Sequence, residues 1–381
     1  MAAESLIGQI LDGRFEILSL IGEGGMGAVY KARQISVDRP VAIKVLSKQL
    51  AGDAQWAQRF QNEARAASRL RHPNTIRIID FGRAAGGQYF IAMELLEGRG
   101  VREVLAGEGA LPPARVLRIL TQACASLAEA HRAGILHRDI KPENLFLSTG
   151  EGQADFVKVV DFGIAKVANS GQLTGAGMVL GTPHYMSPEQ AIGKPLDARS
   201  DVYSLGVVMY EMLAGGPPFS GNVAEVLQMQ LFQDPPALPR AVPGDVQAIV
   251  LRALAKQPEQ RFGSMEEFGG ACLAVLQQLY PAEAGSGPRT ALASLGQIQM
   301  SGTPGLLAAP GMPTPGGQPA PTAAAKLGAA AHAATLPTPK PDAAAVSPAR
   351  FVPVGTPAPV APPSSAPAPF APPTSAPAPF A

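Results

Sequence analysis

Very little in this chain points away from an ordinary globular protein. Only two of its 381 residues are cysteine, Cys124 and Cys272. Two thiols without metal-ligand spacing build neither a disulfide framework nor a zinc site, and both lie in apolar, helix-like runs that suit small buried hydrophobes in a reducing compartment. Excess charge is also missing, since 31 Lys+Arg oppose 30 Asp+Glu for a formal +1. No global field draws the protein onto nucleic acid or an anionic membrane. The apolar runs stay short of the roughly 18 residues a spanning helix needs, so no membrane span is expected. Residues 1–9 lack the basic start and apolar stretch of a secretory signal. A cytoplasmic location is the resulting expectation.

What is abundant is unevenly placed. Of the 38 prolines, 23 fall in residues 281–381, a stretch holding only two acidic residues, Glu283 and Asp342. Rich in Pro, Ala, Gly, Thr and Ser, it has too few large apolar groups to offset its chain entropy, which predicts a disordered tail. The tail ends in a near-repeat, APPSSAPAPF over 361–370 and APPTSAPAPF over 371–380. This is either low-complexity drift or an extended ligand for proline-recognising partners. Residues 1–13 read as a leader and 14–280 as globular. Strand-like runs at 15–21, 28–32 and 40–46 precede a helical pattern at 54–70 and further strands near 75–81 and 88–95. After Gly98 the pattern is helical. Val116, Ile119, Leu120, Ala123, Leu127 and Ala130 form one apolar stripe, and residues 202–213 are apolar nearly all round, as in a buried helix. The expected class is α+β, with a small antiparallel-sheet lobe over 14–96 carrying one main helix and a larger, mostly helical lobe over 97–280.

Four motifs follow one another in this frame. Ile21-Gly22-Glu23-Gly24-Gly25-Met26-Gly27-Ala28-Val29 puts three spaced glycines between two β-like runs. Glycine lets a backbone approach phosphate oxygens without side-chain clash. The spacing alone is weak, because it also marks dinucleotide turns, but those continue into a helix and this one continues as strand. Lys44 ends Val41-Ala42-Ile43-Lys44. It is either a lysine snorkelling at a strand end or a fixed charge for phosphates, and Glu63 on the following helix is the acid that could hold it. His137-Arg138-Asp139-Ile140-Lys141-Pro142-Glu143-Asn144 is the most specific segment. Asp161-Phe162-Gly163 follows an apolar strand-like run, where an aspartate before glycine is commonly only a turn.

Taken together, these motifs resemble the eukaryotic-like protein kinases, most closely the bacterial serine/threonine members, from Phe15 to Leu279. The resemblance implies a bilobal kinase fold and transfer of the γ-phosphoryl group of ATP to Ser/Thr hydroxyls of proteins. It implies that Asp139 orients the acceptor hydroxyl and that Lys141 steadies the moving phosphoryl group. Lys44 and Glu63 would fix the triphosphate, while Asn144 and Asp161 hold Mg²⁺ or Mn²⁺. The nucleotide would meet residues 21–29, Ala42, Met93 at the rear of the pocket, the Glu94 to Leu96 backbone, and Phe146. His137, Arg138, Phe162 and Gly163 are implied to be structural, with Asp201 holding the His137-Arg138 backbone and Glu189 of Ser187-Pro188-Glu189 clamped to Arg261. Lys141 and Thr182 imply Ser/Thr specificity.

Arg138 beside Asp139 implies a phosphate on the activation loop, with Thr174 first and Ser170 second as acceptor, through autophosphorylation in a homodimer. Departures from the family pattern are Phe146 where a smaller aliphatic is usual, Arg99-Gly100 where a ribose-contacting acid is expected with Glu97 as substitute, and a lengthened turn at 148–155. Rival readings are a pseudokinase scaffold, a small-molecule phosphotransferase, and a proline-rich recruitment module carrying the kinase as cargo. Many bacterial relatives add a membrane helix and a sensor, so the chain is expected to be either a cytosolic kinase or a fragment of an anchored one.

Overall fold

The computed structural model describes residues 6–24, 27–47, 64–84, 87–149, 155–162 and 183–284. Of the site residues expected from sequence, Gly25, Met26, Glu63, Gly163, Ser170, Thr174 and Thr182 lie outside this set, as does the chain beyond Ala284. The chain divides into two units, residues 1–307 and 308–381, and every described residue belongs to the first.

Six antiparallel strands build the first lobe in the order β1-β2-β3-β4-β6-β5: β1 (Ile10–Leu11), β2 (Phe15–Gly24), β3 (Gly27–Gln34), β4 (Arg39–Leu46), β5 (Ile78–Arg83) and β6 (Tyr89–Glu94). Alternation explains the inward face: Phe15 and Ile17 of β2, and Ala28, Tyr30 and Ala32 of β3, are buried while the residues between them are less so. Phe15 meets Phe90 edge to face at 5.7 Å between centroids, closing this core. The leader assigned to residues 1–13 needs correction. Leu11 is buried in the same core and carries β1 onto the edge of the sheet.

The helical pattern read over 54–70 is described only from Ala64, and its helix ends at Ala67. Beyond it the chain leaves the small lobe. Leu70 joins the core of the second lobe, and the Arg71 and His72 N–H groups donate to the Glu129 carboxylate at 3.1 and 2.9 Å. Asn74 Nδ2 donates to Gln122 and to Val157 O, and Thr75 Oγ1 lies 2.7 Å from Ser126 Oγ. Gln122, Ser126 and Glu129 fall on one helix face by their spacing. This strap explains why the strand expected from Thr75 begins only at Ile78: the backbone groups of residues 74–76 pair with Val159 instead.

The second lobe opens with a three-stranded sheet of β7 (Gly98–Gly100), β8 (Leu145–Ser148) and β9 (Phe156–Val159). Around it lie α1 (Val101–Glu108), α2 (Pro113–Arg132), α3 (Pro188–Ala191), α4 (Ala198–Ala214), α5 (Val223–Phe232), α6 (Gly244–Ala253), α7 (Met265–Leu279) and α8 (Pro281–Ala284). The α2 stripe is buried as expected, and α4 is buried from Ser200 to Leu213. Cys124 on α2 and Cys272 on α7 are free, fully buried thiols whose pKa burial raises. The compositional break at Pro281 does not coincide with the end of the packed chain: α8 starts there, Glu283 pairs with Arg118, and Ala284 packs on the core.

Arg261 and Glu189 form a buried bidentate pair at 2.8 and 3.0 Å. The remaining guanidinium donors reach the carbonyls of Ala255, Arg199 and Lys256, and Ser200 Oγ donates to Glu189. Burial pushes the Glu189 carboxyl up, but the bonds from Arg261 and Ser200 outweigh it and hold it below its usual range. Arg261→Met should destabilise the protein by about 3–5 kcal/mol, because it leaves a buried carboxylate unpaired. Denaturant unfolding checks this, and a loss below about 1 kcal/mol would contradict it.

Acid should also destabilise the fold. Burial lowers the pKa of His72 and His137, so the folded protein binds fewer protons than the unfolded chain. Their contribution is complete above about pH 6.5, the unfolded histidine value, and is lost as pH falls through the folded values. Glu189 adds a second loss below the ordinary carboxylate range. The melting temperature should therefore fall between pH 7.5 and pH 5, and a flat profile over that interval would refute the assignment.

Candidate active site between the two lobes

Lys44 stands near the end of β4, opposite Val29 on β3 and Ile91 on β6. Its Nζ lies 2.7 Å from Asp161 Oδ1. This pair spans the two lobes, since Asp161 follows β9 by two residues. Ala67, Ile91, Met93 and Phe162 line the pocket beside it. The predicted partner Glu63 is outside the described residues.

The glycine segment is a hairpin rather than a strand-to-helix turn. Gly22 pairs with Val29, Glu23 with Ala28, and Gly24 with Gly27 across β2 and β3. Gly27 sits at φ 143°, and a Cβ there would lie 2.0 Å from Val45 O, so the fold itself requires that glycine. Gly22 and Gly24 differ: a Cβ on either would meet nothing within 4 Å. No packing constraint among the described residues accounts for these two. Ile21 is 55% exposed on the same strand, while Ala28 and Ala42 are buried.

The small sheet of the second lobe positions Phe146. Phe146 on β8 faces Gly100 on β7 and Lys158 on β9 across the small sheet. Leu145 and Leu147 enter the core, so Phe146 projects from the other face. The covalent link between the lobes is residues 95–97. Leu96 is half-buried, and its backbone makes no hydrogen bond among the described residues. Glu94 is anchored by its side chain: Oε1 accepts from Lys158 Nζ at 2.9 Å and from Arg77 N–H at 2.8 Å. Glu97 is exposed and Arg99 pairs with Glu108.

The loop 137–144 is held from below by Asp201 at the start of α4. One carboxylate oxygen accepts from Arg138 N–H and the other from His137 N–H, both at 2.8 Å, and His131 Nε2 lies 2.8 Å from the second. Burial pushes the Asp201 carboxyl up, but His131, His137 and the backbone bond outweigh it, and its pKa falls below the usual range. His137 Nε2 meets Val160 O at 3.0 Å, and a carbonyl only accepts, so Nε2 carries the hydrogen. Its ring packs on Phe162 at 4.9 Å. Arg138 takes the left-handed conformation, φ 62°, and its buried Nε has no hydrogen-bond partner among the described residues.

Asp139 is thereby set beside two donors. Lys141 Nζ lies 3.1 Å and Asn144 Nδ2 3.4 Å from its Oδ2. Asn144 Nδ2 also donates to Asp139 O at 2.7 Å, which turns Asn144 Oδ1 the opposite way. Asn144 and Asp161 thus offer two hard oxygen donors, fitting a small divalent cation that keeps few protein ligands. Among the described residues no cluster of three His, Cys, Asp or Glu side chains provides a self-sufficient metal cage.

Two groups escaped the sequence reading. Lys158 is buried within a β9 run that reads as apolar, where it pairs with Glu94 across the lobes and lies over the Phe156 ring. Arg102 on α1 joins Glu143 of the loop at 2.9 Å, the buried Glu211 at 2.7 Å, and the Tyr185 hydroxyl. A charge following Arg99-Gly100 was visible in the sequence, but its partners were not.

Comparison with known proteins agrees with this arrangement. The protein kinase domain model matches residues 15–271. Serine/threonine-protein kinase pkn3 of Myxococcus xanthus is 44% identical over 282 residues, covering 71% of this chain and 52% of that protein. Serine/threonine-protein kinase PknB of Mycobacterium tuberculosis is 42% identical, covering 68% of this chain and 42% of that protein. The chain thus spans about half the length of these relatives or less. Among solved structures, the Mycobacterium tuberculosis PknI kinase domain superposes with a TM-score of 0.58 at 30% identity, covering 75% of this chain and 99% of that one. With its ordered motifs on one cleft and the family model matched across both lobes, the chain belongs to the protein kinase family.

Proposed function

We propose that this protein is a bacterial serine/threonine protein kinase that transfers the γ-phosphoryl group of ATP to seryl and threonyl hydroxyls of proteins. The observation that carries the reading is the cleft itself: the Lys44–Asp161 pair at 2.7 Å and the Asp139–Lys141–Asn144 cluster come from different lobes and loops. The relatives named above support the same class.

The protein's task in this reaction is positioning and electrostatic stabilisation. Gly22 and Gly24 leave open space above the hairpin where phosphate oxygens can approach the backbone. Lys44 supplies the ammonium for the α- and β-phosphates, with Glu63 as its brace. The Glu94 to Leu96 backbone, Met93, Ala42 and Phe146 receive the adenine. Asn144 and Asp161 would hold Mg²⁺ or Mn²⁺, and a bound divalent ion neutralises charge on the β- and γ-phosphates. Asp139 Oδ2 takes or orients the proton of the attacking hydroxyl, and Lys141, bonded to that oxygen, is placed to steady the transferring group.

The buried Arg138 Nε, unpartnered among the described residues, supports regulation through the activation loop. Phosphate on Thr174, with Ser170 second, would satisfy it by charge-assisted bonds. Autophosphorylation within a homodimer is the proposed source. The tail repeats are proposed to serve proline-recognising partners, and the cytoplasm is the proposed location. No helix among the described residues is long and apolar enough to cross a membrane.

Asp139→Asn and Lys44→Met should each fold normally and retain less than about a tenth of wild-type turnover, because such groups act over orders of magnitude. Steady-state transfer from ATP measures this, and higher residual turnover in either variant contradicts the assignment. Chelating divalent cations should abolish transfer, and restoring Mg²⁺ should return it. Phosphopeptide mapping of active enzyme should find Thr174 or Ser170 modified; finding neither sinks the regulatory proposal.

A further inference from the structure

The backbone of Arg138 is gripped at both ends, and its carbonyl belongs to the peptide that joins it to Asp139. Arg138 adopts φ 62°, a conformation that a bulky non-glycine residue keeps only when its surroundings impose it. Asp201 accounts for one end, through the Arg138 N–H. The other end is the Arg138 carbonyl, which accepts from Gln190 Nε2 at 2.9 Å across 52 residues of sequence. The amide orientation of Gln190 is settled by its partners. Ser187 N–H requires an acceptor and lies 2.9 Å from Gln190 Oε1, so the NH₂ group must face Arg138 O. Gln190 itself rides on a rigid support. Its helix α3 is capped by Ser187, and the adjoining Glu189 is locked to Arg261.

We infer that Gln190 is a positioning residue that holds the Arg138–Asp139 peptide plane and so aims the Asp139 carboxylate. Its grip ties the loop that carries Asp139 to residues 183–191. The inference deepens the phosphoryl-transfer reading and rests on it.

The two bonds of Gln190 can be separated. Gln190→Glu keeps an acceptor for Ser187 N–H, so the helix cap survives, but puts an oxygen where the Arg138 carbonyl needs a donor. Gln190→Met removes both bonds without adding charge. Both variants should lose about 10- to 100-fold in kcat, the cost of a misplaced reacting group, with KM for ATP changed by less than about threefold. The melting temperature of Gln190→Glu should stay within about 2 °C of wild type, about 1 kcal/mol or less for a domain of this size. Amide hydrogen exchange across residues 138–140 should accelerate about tenfold or more in both variants. A kcat within about twofold of wild type in either variant overturns the inference. So does unchanged exchange, or a Gln190→Glu deficit that tracks a matching fall in melting temperature. If the wild-type protein transfers no phosphate at all, the proposed reaction fails, while the exchange measurement still decides the role of Gln190.

Discussion

Everything on the floor of the cleft hangs from one buried carboxylate. Asp201 is 1% exposed, yet its two oxygens accept from two consecutive backbone N–H groups and one imidazole. A buried charge survives only when its hydrogen-bonding capacity is filled this way. The result is a fixed point beneath His137 and Arg138, from which Asp139, Lys141 and Asn144 take their positions. His137 carries the constraint upward, since its Nε2–H bonds Val160 O and its ring backs Phe162 beside Asp161. The carboxylate of the loop and the carboxylate after β9 are therefore referenced to the same anchor.

The small lobe reaches that frame by polar ties as well as by its covalent link. The strap at residues 71–76 bonds to α2 and β9, and Glu94 bonds to Lys158 of β9. Because Asp161 follows β9 directly, the strand that receives these ties also carries the residue facing Lys44. The separation of Lys44 from Asp161 is thus set through short, buried polar contacts. A nucleotide-binding cleft that must align groups from two lobes gains from such a common reference.

Much of this was legible in the sequence because local patterns carry it. Alternation in β2 and β3, the α2 stripe and the apolar run of α4 are each contained within a few turns or a single strand. The catalytic motifs are equally local, and the family pattern supplied Asp201 and the Glu189–Arg261 pair before any coordinates. What stayed hidden joins residues far apart in the chain. Lys158 meets Glu94 across 64 positions, and Arg102 meets Tyr185 across 83 and Glu211 across 109. No periodicity encodes such partners. Leu11 was lost in a short stretch with too few neighbours to show alternation. Residues 75–77 were read as strand although the backbone here serves the other lobe, pairing with Val159, while composition alone placed Pro281 outside the fold.

The central claim is that this cleft moves a terminal phosphate from nucleotide to a protein hydroxyl. Incubating the full chain with γ-labelled ATP, Mg²⁺ and an acceptor protein, then hydrolysing to amino acids, tests it directly. The account predicts label in phosphoserine and phosphothreonine. Label confined to phosphotyrosine or to free phosphate, or none in protein at all, would contradict it.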